Sequence, residues 1–424
     1  MTVTDMARLP RWRLAGGAFA TALRYGASAA GPVAVSGAHF LASLIFLRNL
    51  PAHEFGLFSF VMVVVSFGMS LNVSLISVPI TRNLVTGETS TRPICFQINW
   101  LVCVLFAALL FTALAVGHAP LIEGAMLGLF GGVFTFRWFA RCFAFVDNRM
   151  TAAIRSDFVY SVSLVAGLGL LAFTRQVSFT SGSEMLLAAA LLALVPFGMA
   201  FFRTQFAAMR GNPARYWPIF RDLTRWSLIG VVLTEITVNA HAYLVTFISG
   251  PGSFALLALG MLLFRPASLM QSALPDLERP AMARAIAAHD MAAVARVQHH
   301  FAWGLAAAWA INILACAALL AFFPLLVLKK GYALHDVVVV AGLSAVIMAV
   351  RAWRTPPATL LQAAGQFKEL ASIGTISGAV SVAATLGLLL TLGPIASLAG
   401  ILLGELVILV RVRQMAHDWW KANG

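Results

Sequence analysis

The chain has 424 residues, 60% of them hydrophobic and only 11% charged, with a mean hydropathy of +0.88. Soluble domains carry roughly 25% charged residues, so this composition excludes a soluble enzyme or binding module and indicates an all-α, polytopic membrane protein. The formal net charge of +13 would suggest nucleic acid in a soluble protein. Here it concerns first the side of the bilayer on which cations fall, and no nucleic-acid partner is expected.

Residues 1–25 carry Arg8, Arg11, Arg13 and Arg24 around Trp12 and Phe19, without a compact apolar core and cleavage site. They are expected to form a cytoplasmic basic segment, either an interfacial helix or a disordered tail. Spans of about 20 apolar residues then follow at 26–47, 57–80, 94–116, 124–146, 158–174 and 185–206, which make up an N-lobe over 26–206. A basic linker at 207–226 leads to a C-lobe over 227–413, with spans at 227–249, 254–275, 301–328, 336–364, 370–392 and 394–413, and a tail at 414–424. An even number of spans puts both termini on one side. With that side cytoplasmic, 20 of the 29 Lys and Arg lie inside and four outside, an asymmetry that supports an N-in, C-in orientation. Cys95, Cys103, Cys142 and Cys316 all sit in apolar runs without C-x-x-C spacing, which points to packing rather than disulfides or zinc, and no cofactor is implied.

The five remaining cations are intramembrane. Arg137 and Arg141 lie four apart in 131-GGVFTFRWFARCFAFV-146, Arg351 and Arg354 three apart in 345-AVIMAVRAWRTPPATLLQAAG-365, and Arg265 interrupts 259-LGMLLFRPASLMQSAL-274. Each pair shares a helix face. A guanidinium at the centre of a span costs about 2.5–3.5 kcal/mol and does not shed its charge, so it must face protein, water or an anion. Two readings stand: a cationic cavity for a phosphate group, since planar guanidinium forks match phosphate oxygens two bonds at a time, or snorkelling anchors at the headgroups. Within the spans only Glu235 and Glu405 read as clearly internal acids. Glu235, with Asn239 and His241, is a candidate ion-coupling group or a salt-bridge partner of a cavity arginine. His39 and His241 read as packing residues or proton relays, and Trp138, Trp303 and Trp353 as sugar-stacking surfaces or interface aromatics.

The halves echo each other. Ala38-His39, 55-FGLFSFVMVV, Pro79 and Arg82 correspond to Ala240-His241, 254-FALLALGMLL, Pro275 and Arg279, and the Arg137/Arg141 span corresponds to the Arg351/Arg354 span. Two pseudo-symmetric six-helix lobes around a central cavity follow, as a parallel repeat. Gly128-x-x-x-Gly132, Gly374-x-x-x-Gly378 and Gly400-x-x-x-Gly404 are candidate close helix contacts.

The stretch 48-RNLPAHEFGLFSFVMVVVSFGMSLNVSLISVP-79, with its Glu54-Phe55-Gly56 turn, resembles the first outer loop and second span of bacterial polysaccharide flippases of the Wzx type, and 254-FALLALGMLLFRPASLMQSALPDL-277 is similar to the matching span of the second half. The resemblance implies the multidrug/oligosaccharidyl-lipid/polysaccharide exporter superfamily and a polyprenyl-pyrophosphate-linked oligosaccharide as cargo. It also implies a bacterial inner-membrane location, alternating access of two lobes and work beside a polysaccharide polymerase and export machinery. The rivals are a cation-coupled drug exporter, which predicts acids rather than arginines in the cavity, and a polymerase or glycosyltransferase. The sequence lacks a Ser/His/Asp arrangement, HExxH, a DxD-like pair and a Walker A loop, so a non-enzyme is expected.

Overall fold

The computed structural model describes residues 18–77, 79–80, 92–147, 149–209, 211–324 and 332–423. Arg82, Lys329, Lys330 and most of the N-terminal basic segment, Trp12 included, lie outside the described residues. Regular structure among the described residues is helical throughout, because a helix pairs its own N–H and C=O groups where lipid offers no partner.

The first half consists of α1 (Ala18–Asn49), α2 (Ala52–Asn72, prolonged by a π turn over Val73–Ser77), α3 (Arg92–Val116), α4 (Leu121–Val146), α5 (Met150–Phe173), α6 (Phe179–Leu192) and the short α7 (Met199–Ala208). Helical turns over 213–224 lead into the second half: α8 (Arg225–Ile248), α9 (Pro251–Leu263), α10 (Arg265–Ala287), α11 (Met291–Phe322), α12 (Leu334–Ala363), α13 (Phe367–Leu392) and α14 (Ser397–Asn423). Among the described residues ten helices are long and apolar enough to cross a membrane, and α9 with the start of α10, bent by 63° at their break, passes the same test as a pair. The remaining long helix, α14, runs 27 residues and carries the buried Glu405.

The repeat reappears as helix neighbours. In the first half α1 packs on α5, α2 on α4, α3 on α4, α4 on α6 and α5 on α6; in the second α8 packs on α13, α9 and α10 on α12, α11 on α12, α12 on α14 and α13 on α14. Small residues allow several of these approaches. A Cβ added at Gly132 would meet the Cys103 carbonyl oxygen of α3 at 2.9 Å, and one at Gly400 would meet the Thr385 backbone nitrogen of α13 at 2.3 Å. Gly374 has nothing within 4 Å, so its spacing to Gly378 marks no contact of its own.

Several boundaries differ from the hydropathy reading. The second span already begins at Ala52, so Glu54-Phe55-Gly56, expected as a turn, belongs to the first turns of α2. The sixth span begins at Phe179, where Ser178 caps the helix by accepting from Ser181 N, and it stops near Pro196. Gly198, at φ 79°, then turns the chain so that Met199–Ala208 forms a separate helix, a backbone geometry that favours glycine. The fifth span begins at Met150, eight residues before its apolar run, and thereby carries Asp157 inside the bundle. Residues 276–287, expected as loop, continue α10, and 414–423 continue α14.

The halves meet chiefly through α2 against α9 and α8. Phe60 stacks edge-on against Tyr243 and Phe247 of α8. At the end where α1 joins α2 and α8 joins α9, Gly56 faces the Pro251 carbonyl so closely that an added Cβ would lie 1.8 Å from it. Both helix starts are thus packed backbone to backbone and close the bundle at this end.

Candidate functional site

Below that closure a cavity of about 730 Å³ lies between the halves, walled by α1, α2, α4, α8, α9, α10, α12 and α14. Phe55, Phe58 and Phe254 line its closed end. Polar groups reach it from both halves: His39, Ser59, Ser66 and Trp138 from the first, Asn239, His241, Ser268 and Ser344 from the second. Its charged lining residues are Arg265 and Arg351, and no carboxylate lines it among the described residues.

Arg265 owes its place to the broken span. Phe264, at φ −100° and ψ 10°, interrupts the helix, and Pro266 cannot continue the donor ladder from α9. Asn312 of α11 spans the break, its Nδ2 donating to Leu263 O at 2.9 Å and its Oδ1 accepting from Ala267 N at 3.0 Å. One buried amide thus satisfies the last turn of α9 and the first turn of α10. The Arg265 guanidinium has no carboxylate and no hydrogen bond among the described residues, so it is available to a solute in the cavity.

The other arginines are distributed differently. Arg137 is wholly buried beside the cavity, its Nη1 2.8 Å from Asp157 Oδ1, and its guanidinium lies over Phe134 at 4.6 Å and Tyr160 at 4.9 Å. Arg141 donates from Nε to the other Asp157 oxygen at 2.8 Å and stacks at 4.9 Å over Trp138, which itself lines the cavity. Gly31 of α1 makes room for this carboxylate, since an added Cβ would lie 2.2 Å from Asp157 Oδ2. In the second half Glu405 accepts from Arg351 Nε at 2.7 Å and stands 2.6 Å from Arg354 Nε. Arg351 both lines the cavity and holds Glu405, whereas Arg137, Arg141 and Arg354 do not line it. Two acids shared among four arginines leave each cluster one positive charge in excess, in surroundings where a charge is screened far less than in water.

Asp157 is the buried acid that hydropathy misses. Its signal was the shortness of the apolar run 158–174, which cannot span a bilayer without borrowing residues from its polar side. Glu235 is held by Tyr243, whose hydroxyl donates at 2.5 Å, and by Asn239, rather than by an arginine. His39 pairs with the Tyr160 hydroxyl at 2.7 Å and His241 Nε2 lies 3.2 Å from the Met261 sulfur, both at the cavity wall. Trp353 and Trp303 are exposed away from the cavity, at 68% and 65% of their surface.

No protein-family model and no curated protein matches the chain. Solved structures do. An inward-facing multidrug resistance MATE family transporter of the MOP superfamily superposes with a TM-score of 0.68 at 12% identity, over 92% of this chain and 95% of that one. The lipid II flippase MurJ in its inward closed conformation gives 0.65 at 11% identity, over 91% and 86%. An outward-facing MATE family transporter of the MOP superfamily gives 0.56 at 12% identity, over 94% and 96%. The chain therefore has the two-lobed helical fold of MOP-superfamily transporters and flippases.

Proposed function

We propose that the protein is a flippase of the Wzx type that moves a polyprenyl-pyrophosphate-linked oligosaccharide across the bacterial inner membrane for exopolysaccharide or O-antigen synthesis. The observation that carries this reading is the cavity's charge: it presents Arg265 without a protein partner and Arg351, with no carboxylate among its described lining residues. An anionic headgroup is the cargo that such a lining attracts, and guanidinium forks bind pyrophosphate oxygens with charge-assisted hydrogen bonds. Exporters of cationic drugs need the opposite polarity. Five intramembrane arginines were expected to share this task; their geometry favours Arg265 and Arg351 as phosphate contacts and Arg137, Arg141 and Arg354 as the framework that holds the wall and its field.

In this reading both termini are cytoplasmic and the Gly56–Pro251 closure is the outer gate. The cargo's headgroup enters from the cytoplasmic leaflet, its polyprenyl chain stays in lipid, and rocking of the lobes opens the far side for a downstream polymerase and export machinery. The greater likeness to the inward-facing than to the outward-facing MATE structure, TM-scores 0.68 and 0.56, is consistent with this state. Glu235, Asn239 and His241 remain the candidates for ion coupling.

The test is deletion of the gene, scored for lipid-linked repeat units by leaflet and for secreted polymer, with complementation by wild type or Arg265→Ala. Complete units retained in the inner leaflet and rescued only by the arginine-containing protein support flipping. Build-up in the outer leaflet supports a polymerase instead. Unchanged lipid and polymer, with new drug sensitivity, would overturn the cargo assignment in favour of a drug exporter.

A further inference from the structure

We propose that a second site, on the outer flank of the second lobe, binds the phosphodiester headgroup of an anionic bilayer phospholipid. It is a groove of about 650 Å³ between α11, α12 and α14, separate from the central cavity. Three helices bring their polar ends to one depth here. Gln298 and His299 precede the apolar run of α11, Trp353 lies towards the end of α12, and Arg413 and His417 follow the apolar part of α14. In a spanning bundle this is headgroup level.

The chemistry of the groove is that of a phosphate site. Arg413 makes no ion pair among the described residues, and no carboxylate lines the groove among them. His299 accepts from Trp303 Nε1 at 2.9 Å through its Nε2, which puts the proton of the neutral ring on Nδ1, a donor for a phosphate oxygen. Trp420 donates to Gln298 at 3.3 Å and ties α14 to α11, so the groove is held open by a side-chain bridge. Its floor is Pro356 and Pro357, both buried and lacking N–H groups, an apolar surface suited to the glycerol and first acyl carbons. Exposed Trp353 and Trp303 flank it, as aromatic side chains do at membrane interfaces. A cationic recess between spanning helices with an indole rim recognises an anionic lipid rather than a zwitterionic one. This site is independent of the transport reading.

The test uses the full-length protein in nanodiscs of equal phosphatidylglycerol and phosphatidylcholine, transferred to mild detergent, with retained lipid counted by native mass spectrometry. Phosphatidylglycerol should be retained in preference, and Arg413→Gln should cut its retention about fivefold, the effect of one cation near the lipid surface. Arg411→Gln, one residue pair away on the same helix but outside the groove, should leave it within a small margin. Trp353→Ala, at an exposed position, should lower retention as well and serves if Arg413→Gln does not fold. Equal retention of both lipids, or equal losses from Arg411→Gln and Arg413→Gln, would overturn the proposal as general surface attraction.

Discussion

Gly56 and Pro251 come from equivalent helix starts of the two halves, and the carbonyl oxygen of one occupies the space where the other would carry a Cβ, 1.8 Å from that position. The contact has no room for any side chain at residue 56, so Gly56→Ala must push α2 and α9 apart. Such a variant should populate the conformer open at this end. In a background without the four native cysteines, disulfide trapping between His53→Cys and Gly252→Cys should be efficient in the parent and fall sharply with Gly56→Ala. Undiminished trapping would show that the closure tolerates a side chain.

Asp157 neutralises Arg137 and Arg141 together. Asp157→Asn strands both guanidiniums in the first lobe, and removal of one partner of a buried ion pair costs about 3–5 kcal/mol. The thermal unfolding midpoint in detergent should fall strongly, and pairing the change with Arg137→Gln should cost less than the two single losses added. Gly31→Ala, which crowds Asp157 Oδ2, should reproduce part of the loss without altering any charge.

In the flippase reading proposed above, Arg265 and Arg354 separate binding from structure. Arg265→Ala should reduce cargo affinity about tenfold to a hundredfold, the scale of one or two lost charge-assisted hydrogen bonds, with normal abundance in the membrane. Arg265→Lys should restore part of it, since the charge remains and the planar fork does not. Arg354→Ala should instead lower abundance, because Glu405 loses one of its two cations. Equal effects of Arg265→Ala on abundance and on transport would remove the distinction.

Asn312 holds the broken span by two hydrogen bonds to its facing ends. Asn312→Leu should cost about 1–3 kcal/mol and raise amide hydrogen exchange selectively around residues 263–267. Uniform protection after the change would show that the break is stable without its bridge.

Much of the fold was legible because lipid makes length and hydropathy strict: the echo of Ala38-His39 in Ala240-His241 and of one arginine span in the other identified a repeat whose helix neighbours recur in both halves. The Glu54-Phe55-Gly56 stretch stood out by resemblance as a turn; the fold makes it helical, and the physical reason for its glycine, the Pro251 backbone, came only there. Arg265-Pro266 was legible as an interruption, yet not as a break, since a proline inside a span can equally kink it, as Pro32 in α1 or Pro356 in α12 sit within continuous helices. Asp157 escaped because hydropathy averages a charge as a penalty, whereas burial beside two arginines makes that charge part of the interior. For the same reason the partners of each arginine could not be read from spacing along one helix.

The acids that balance the two arginine pairs sit on helices that do not correspond. Asp157 lies on α5, directly after the Arg137/Arg141 helix, whereas Glu405 lies on α14, two helices after the Arg351/Arg354 helix, with α13 between. A chain inserted from its N-terminus can compensate the first pair as soon as the following helix enters the bilayer. The second pair, at about 2.5–3.5 kcal/mol for each unmatched guanidinium, waits until α14 is made. The first lobe can therefore settle electrostatically as soon as α5 joins α4, whereas the second must hold two uncompensated guanidiniums through the insertion of α13 until α14 brings Glu405.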